Sequence, residues 1–193
     1  MSTLFSAWGV IPPYEGHADA PDAFSPYQWA PERLVNTLGF SPERRALLKN
    51  LFEYRRSLRA FGVEGIQWLD GSFTEDCERL KGRPPGDIDL MNLVFPPDRE
   101  RLGTEGVRLL MDRAFIKESY HLDVMQPFPL GLDGHSRPMV GLHGLTYFFS
   151  LFSHSRPEAY GIPVWKGMIE LVLSPDENED REAIQLLAQG DSP

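Results

Sequence analysis

Alternating polar and apolar positions in the middle of the chain predict two neighbouring β-strands joined by a polar loop. The first strand, Ile66–Asp70, leads into the Gly71–Ser72 pair, and the second contains Asp87 and Asp89. Because side chains alternate across a strand, the two aspartates should share one face, while the apolar residues beside them point to the other. We expect the loop of residues 73–86 to be irregular, since it is rich in glycine and proline.

Helical spacing of apolar residues precedes these strands. A short helix is predicted over Pro31–Leu38, ending at Gly39. Ser41 is a good N-cap and is followed by a proline at the first helical position, so a second helix should run to about Ala60. Its leucines and aromatic residues recur at intervals of three and four residues, which predicts one buried face.

The other face of this second helix, residues 43–60, is the most basic segment of the chain. A solvated face is the favoured interpretation, and contact with an RNA, an acidic protein partner or a bound phosphate is the alternative. The basic residues are Arg44, Arg45, Lys49, Arg55, Arg56 and Arg59.

Further helices and strands are predicted after the central strands, and one of these strands contains another acid, Asp123. We find no linker that would divide residues 31–193, so we expect one domain there, preceded by an extended proline-containing arm over residues 1–30. The later predicted elements are a helix over residues 98–114, a strand over Tyr120–Phe128, a buried helix over Leu142–His154, a strand over Pro163–Leu173 and a final helix over Ser174–Ala188.

Composition and charge narrow the classes of function. The net charge of −9 over 193 residues excludes a general coating of nucleic acid, which relies on clustered lysine and arginine, but permits a mononucleotide bound with Mg²⁺. The single cysteine, Cys77, excludes an internal disulfide and a zinc site built on cysteines. Since we find neither an apolar run as long as a membrane span nor a secretory signal, we expect a cytoplasmic protein.

Three features together predict a site for nucleotidyl transfer. Asp87 and Asp89 would repel each other unless a cation lay between them, and Mg²⁺ binds carboxylates together with substrate phosphates. Gly71–Ser72, where it opens a helical turn, offers backbone N–H groups to a phosphate. Asp123 adds a carboxylate from a third strand. Each feature alone is more often a turn, a cap or a solvated acid, but their combination favours a functional site.

The same residues resemble a known set of motifs. Gly71–Ser72, Asp87-x-Asp89 and Asp123 resemble the motifs of the DNA polymerase β-like nucleotidyltransferase superfamily. The resemblance implies an α+β fold with a central mixed β-sheet flanked by helices. The longer strings IPPY, QWLDGSF, RPPGDIDL, SHSR and WKG resemble DUF6932, a bacterial family of small proteins within that superfamily. By analogy with small bacterial relatives, this implies a toxin–antitoxin or antiphage role.

The resemblance also implies a reaction and residue roles. A nucleoside monophosphate would pass from an NTP to a hydroxyl acceptor on a protein, an RNA or a small molecule, with two Mg²⁺ or Mn²⁺ ions. Asp87 and Asp89 would bind metal, Asp123 would be the third ligand or the base, and Gly71 and Ser72 would bind phosphate. The loop between Ser72 and Asp87 is longer than in minimal members. The resemblance therefore does not identify how the β- and γ-phosphates are bound. The candidates for binding phosphate or the acceptor are His154, Arg156 and Lys166.

Other interpretations remain open from the sequence. The side chains of His154, Arg156 and Lys166 can equally be surface residues beside a helix end. The chain can also be a non-catalytic nucleotide- or partner-binding module of the same fold, or a structural subunit that binds a protein partner through the basic helix 43–60. NTP binding without release of pyrophosphate would indicate the module, and a tight complex unaffected by Asp87→Ala would indicate the subunit.

Overall fold

An open mixed β-sheet with helices against its faces forms the body of the protein, which confirms the expected α+β class. In the part of the chain that the structure describes, no helix is long and apolar enough to cross a membrane. For residues 138–142 only the backbone is described. The computed structural model describes residues 4–17, 20, 23–95, 97–130, 138–156 and 161–189.

Six strands within these ranges form the sheet: β1 (Tyr27–Gln28), β2 (Gly65–Asp70), β3 (Ile88–Val94), β4 (Leu122–Val124), β5 (Phe128–Pro129) and β6 (Ile169–Leu173). Their order is β1–β6–β2–β3–β4, and β5 pairs with the end of β3. The central strand β2 is antiparallel to both β3 and β6, whereas β4 is parallel to β3. The segment predicted as an extended arm contributes β1, which is parallel to β6.

The first two helices are confirmed at the predicted residues, and the hydroxyl of Ser41 accepts a hydrogen bond from the Arg44 N–H, as its capping role requires. Residues 73–86 were expected to be irregular, but they contain a short helix, Cys77–Lys81, which is followed by Gly82 in the left-handed conformation. The helices are α1 (Pro31–Leu38), α2 (Pro42–Ala60), α3 (Cys77–Lys81), α4 (Arg99–Met111), α5 (Arg113–Tyr120), α6 (Pro138–Phe152) and α7 (Arg181–Gln189).

The predicted arrangement of residues 98–128 was wrong in detail. Asp112 accepts a hydrogen bond from the Phe115 N–H and so begins a separate helix, α5, where one continuous helix was expected. Helix α5 takes up Tyr120 and ends at His121, which has a left-handed conformation, so the strand that follows covers only β4. The final helix also begins later than predicted, because Asp176 caps a short 3₁₀ turn before α7.

The two faces of the sheet are covered unequally. The main core lies on the side of α1, α2, α4, α5 and α7, where buried residues such as Leu51 and Leu58 pack with Leu69 and Leu90 of the sheet. On the opposite face a smaller cluster joins sheet residues to α6. Its buried members are Trp68, Met91, Leu93, Phe152 and Met168.

The segment Leu142–His154 was predicted as a buried helix, and the burial was wrong for part of its surface. Its side chains Leu145, Phe148 and Phe152 pack against the smaller cluster, but Tyr147 is 62% exposed and Leu151 is 45% exposed. Spacings of three and four residues place the first three on one face of the helix. The helix therefore covers the sheet with one side only and leaves apolar surface elsewhere.

The prediction of a solvated basic face on α2 was wrong for Arg44, Arg55 and Arg59, which are at most 5% exposed. Each guanidinium group is hydrogen-bonded inside the protein. Arg55 donates to both carboxylate oxygens of Asp180, at 2.8 Å, and to the side chain of Gln67. Asp180 lies 125 residues further along the chain than Arg55. The sequence of α2 alone therefore does not indicate that Arg55 is buried.

Candidate active site

Aspartates from three neighbouring strands lie side by side at one end of the sheet. Asp70 is the register partner of Asp89 across β2 and β3, and Asp89 is the register partner of Asp123 across β3 and β4. Directly opposed residues on neighbouring strands point to the same face, so the three carboxylates share the face that also contains Met91. Asp87 directly precedes β3 and has the same parity as Asp89.

These acids border a cleft of about 1370 Å³, which is larger than the roughly 300–1,000 Å³ of an ordinary small-molecule site. The acids lie at the end of the sheet, while α6 contributes an apolar wall through Tyr147 and Leu151. The basic residues that line the cleft are Lys81, Arg83, Lys117, Arg156 and Lys166.

The Gly71–Ser72 turn lies directly against the acids. Gly71 has φ +78°, and a β-carbon built on it would lie 1.7 Å from Oδ2 of Asp89. Only glycine can bring the backbone this close to that carboxylate. Ser72 follows in a 3₁₀ turn, Gly71–Thr74, and lines the same cleft, so the predicted helical turn after the first strand is present.

Asp89 is the central acid, and no hydrogen bond or ion pair reaches its carboxylate from the residues that the structure describes. Burial raises its pKa, and the charges of Asp70, Asp87 and Asp123 raise it further, to about 6, against an opposing effect of Lys166. A carboxylate in this environment gains strongly from a nearby positive charge. A cation beside Asp89 would therefore be favourable.

Side chains from α5 neutralise the other two predicted metal ligands. Nζ of Lys117 lies 3.0 Å from Oδ2 of Asp87 and 3.1 Å from Oδ2 of Asp123. Nε of Arg113 donates a hydrogen bond to the other oxygen of Asp123. This hydrogen bond, with the ammonium group of Lys117, holds the pKa of Asp123 below its ordinary value against the opposing effect of burial.

Lys166, predicted to bind phosphate, is buried beneath the Gly71–Ser72 turn and is 2% exposed. Its Nζ lies 3.0 Å from Asp70, 3.0 Å from Glu75 and 3.1 Å from the carbonyl oxygen of Gly71. Burial alone would lower the pKa of Lys166, but the charges of Asp70 and Glu75 raise it above its ordinary value. All three donors of the ammonium group are therefore engaged within the protein, and the hydrogen bond to Gly71 stabilises the turn.

The other two basic candidates lie at the surface of the cleft. Arg156 and His154 are exposed and follow the end of α6. Nδ1 of His154 lies 2.9 Å from the carbonyl oxygen of Ser150, and the backbone of His154 forms an isolated bridge with Trp165. The bridge connects the end of α6 to the segment that contains Lys166.

The donor chemistry of the cleft suits a hard divalent cation, because Asp87, Asp89 and Asp123 offer carboxylate oxygens from neighbouring strand positions. Within the described ranges, however, no three Asp, Glu, His or Cys side chains are arranged so that they could hold a metal ion. Lys117 lies between two of the acids. The residues fit the ion by donor type, and side chains would have to rearrange before three of them could coordinate it.

Sequence reasoning missed several residues around this site. Asp70 was interpreted only as the end of a strand, and Glu75 only as part of an irregular loop. The ion pairs of Arg113 and Lys117 were missed because α5 itself was not predicted. The i, i+4 spacing of these two basic residues was the available signal, since it places both on one side of a helix.

Residues 4–172 match the model of a family of unknown function, DUF6932. No curated protein and no solved structure matches the chain. The family match covers β1 to β5 and all of the cleft residues described above.

Proposed function

The chain belongs to the DUF6932 family, and from the chemistry of its acidic cleft we propose that it is a metal-dependent nucleotidyltransferase. It would move a nucleoside monophosphate from an NTP to a hydroxyl acceptor on a protein, an RNA or a small molecule. One observation carries the proposal. Among the described residues, Asp89 has three acidic neighbours and no hydrogen bond or ion pair to its carboxylate, and the charge of Lys166 opposes theirs only in part. A biological role in a toxin–antitoxin or antiphage system is part of the same proposal.

Asp87, Asp89 and Asp123 are the residues that would hold Mg²⁺ or Mn²⁺. Bound there, the metal would supply charge stabilisation at the phosphates and lower the pKa of the attacking hydroxyl. Gly71 and Ser72 would hold phosphate through their backbone. Such a site acts mainly by positioning and by electrostatic stabilisation, with little covalent work for the protein.

The remaining side chains of the cleft support this assignment. Arg83, Arg156 and His154 line the cleft and are the proposed contacts of the phosphates or of an acceptor. Lys166 takes a supporting role, because its ammonium group holds the Gly71 carbonyl and two buried acids. The exposed apolar side chains of α6 add a surface for an uncharged part of a substrate.

The proposal predicts that the protein transfers label from an NTP to an acceptor. Wild-type protein is incubated with each α-labelled NTP, Mg²⁺ or Mn²⁺, and a bacterial lysate, and labelled macromolecules are separated on gels. Asp89→Asn should reduce the label to background, because the variant lacks the central carboxylate. The matched control is Asp98→Asn, which removes an exposed acid at the N-terminus of α4 and should leave labelling intact.

Equal labelling by wild type and Asp89→Asn would contradict the proposal. A second candidate function, a non-catalytic nucleotide- or partner-binding module, is favoured by the ion pairs that already neutralise Asp87 and Asp123. This module would bind NTP in a metal-dependent manner and release no pyrophosphate, which a coupled pyrophosphate assay measures in the same samples.

A further inference from the structure

Lys117 connects two acids that come from different parts of the fold. Asp87 lies at the start of β3, Asp123 lies within β4, and the ammonium group of Lys117 bridges one oxygen of each, at 3.0 and 3.1 Å. These are two of the three acids assigned to metal binding above. The positive charge of Lys117 therefore stands where a divalent cation would otherwise neutralise the same carboxylates.

The contacts of Lys117 differ in kind from those of Lys166, another lysine that pairs with acids at this site. Lys166 is 2% exposed and also hydrogen-bonds a backbone carbonyl, so its position is built into the turn. The side chain of Lys117 is 51% exposed, and within the described residues its recorded partners are Asp87 and Asp123. The side chains of Asp87 and Asp123 are 27% and 11% exposed, so solvent reaches these pairs through the half-exposed lysine and screens them in part. The pairs should therefore separate more readily than the buried contacts of Lys166.

We propose that Lys117 is an exchangeable counterion, which neutralises Asp87 and Asp123 in the metal-free protein and moves to the phosphates of the substrate when metal binds. The inference rests on the proposed function, because it requires the acids to bind a divalent cation. Two like charges cannot share the same carboxylate oxygens at close range without strong repulsion. Lys117 lines the cleft, so the released ammonium group would remain in contact with an anion bound there.

The exchange has a signature that a purely structural lysine would not produce. Removal of the ammonium group should strengthen the binding of metal alone, since a competitor is lost. The same substitution should weaken the binding of a polyphosphate together with metal, since a cationic contact is lost. A lysine that only stabilises the fold would change both affinities in the same direction or leave both unchanged.

The test compares wild type, Lys117→Met and Lys81→Met. Lys81 is the matched control because it also lines the cleft and pairs with an acid, Glu75, that is not an assigned metal ligand. Free Mn²⁺ is followed by electron paramagnetic resonance, and binding of inorganic tripolyphosphate is measured by calorimetry at saturating Mn²⁺. Inorganic tripolyphosphate is used as the probe because it removes any dependence on the base.

For Lys117→Met we expect Mn²⁺ binding about two- to tenfold tighter than in wild type, the range that follows from the loss of two partly exposed ion pairs. We expect tripolyphosphate binding to be weaker by a similar factor, and Mn²⁺ binding by Lys81→Met to match wild type. Any other combination for Lys117→Met overturns the exchange while wild type still binds Mn²⁺. If wild type binds no Mn²⁺, the proposed function and the exchange both fail.

A measurement on the wild-type protein removes any dependence on how the variant folds. The rate at which each lysine reacts with a small amine reagent is measured by mass spectrometry of peptides, with and without Mn²⁺. We expect Mn²⁺ to increase the rate at Lys117 severalfold and to leave Lys81 unchanged, because only the first loses its carboxylate partners. An unchanged rate at Lys117 under conditions where Mn²⁺ is bound would overturn the exchange.

Discussion

The carboxylate of Asp89 lies close to three other acidic side chains. Asp70 and Asp123 are its register partners on the two neighbouring strands, and Asp87 lies two residues before it. Burial and these three charges raise its pKa to about 6. Ionisation of Asp89 is therefore unfavourable in the folded protein. A bound cation would stabilise the ionised carboxylate and offset this free-energy cost.

The raised pKa of Asp89 predicts a pH-dependent cost to stability. The pKa of Asp89 is near 4 in the unfolded chain and about 6 in the folded protein. Between these pH values the folded state binds a proton that the unfolded state has lost. The free energy of unfolding therefore falls as pH rises from about 4 to about 6. Asp89→Asn cannot ionise and should be more stable than wild type by about 1–3 kcal/mol at pH 8 without divalent cations. At pH 4 the difference should vanish, and urea denaturation at both pH values measures it.

Asp123→Asn provides the comparison of opposite sign. Since Arg113 and Lys117 lower the pKa of Asp123, its ionised form stabilises the fold above a pH of about 4, and this contribution is lost as pH falls. Asp123→Asn should therefore be less stable than wild type at pH 8. A gain in stability for Asp89→Asn that was equal at pH 4 and pH 8 would contradict the electrostatic account.

At the scale of elements, α2 is held to the sheet by buried ion pairs as well as by apolar packing. Arg55 hydrogen-bonds Asp180 before α7, Gln67 in β2 and the carbonyl oxygen of Val172 in β6. Arg59 also pairs with Asp180. One carboxylate thus joins two turns of α2 to the C-terminal part of the fold.

Removal of Arg55 should therefore destabilise the protein severely. Arg55→Met leaves Asp180 buried with one of its two cationic partners lost, and breaking a buried pair in this way costs about 3–5 kcal/mol. Arg56→Met, one residue along the same helix, removes a side chain that is 64% exposed and should change stability by no more than about 0.5 kcal/mol. Urea unfolding of both variants measures the difference, and equal effects would contradict the assigned roles of the two arginines.

The sequence was informative where local signals decide the structure. The capping serine Ser41 and its following proline identified α2, and alternation identified the two central strands. Local signals failed where distant partners decide. The buried arginines of α2 have the same appearance in the sequence as solvated ones, because Asp180 and Gln67 cannot be assigned to them without the fold. Helix α5 was missed because the N-cap at Asp112 was not recognised.

The whole molecule builds one cleft from segments that are far apart in the chain. The Gly71 turn, the start of β3, β4, the end of α6 and the segment before β6 all contribute side chains. The sequence predicted that Asp87, Asp89 and Asp123 form one site with the Gly71–Ser72 turn, and all of these residues line this cleft. It could not predict that Lys117 would occupy the space between two of them, since that depends on how α5 meets β4.

The central claim is that Asp87, Asp89 and Asp123 bind a divalent cation, and anomalous diffraction from crystals grown with Mn²⁺ tests it most directly. The account predicts an anomalous peak about 2.1 Å from carboxylate oxygens of Asp87 and Asp89, the distance usual for small hard divalent ions, with Lys117 moved away from both of its acids. A map without a peak among these acids at saturating Mn²⁺, with Lys117 still bridging Asp87 and Asp123, would contradict it.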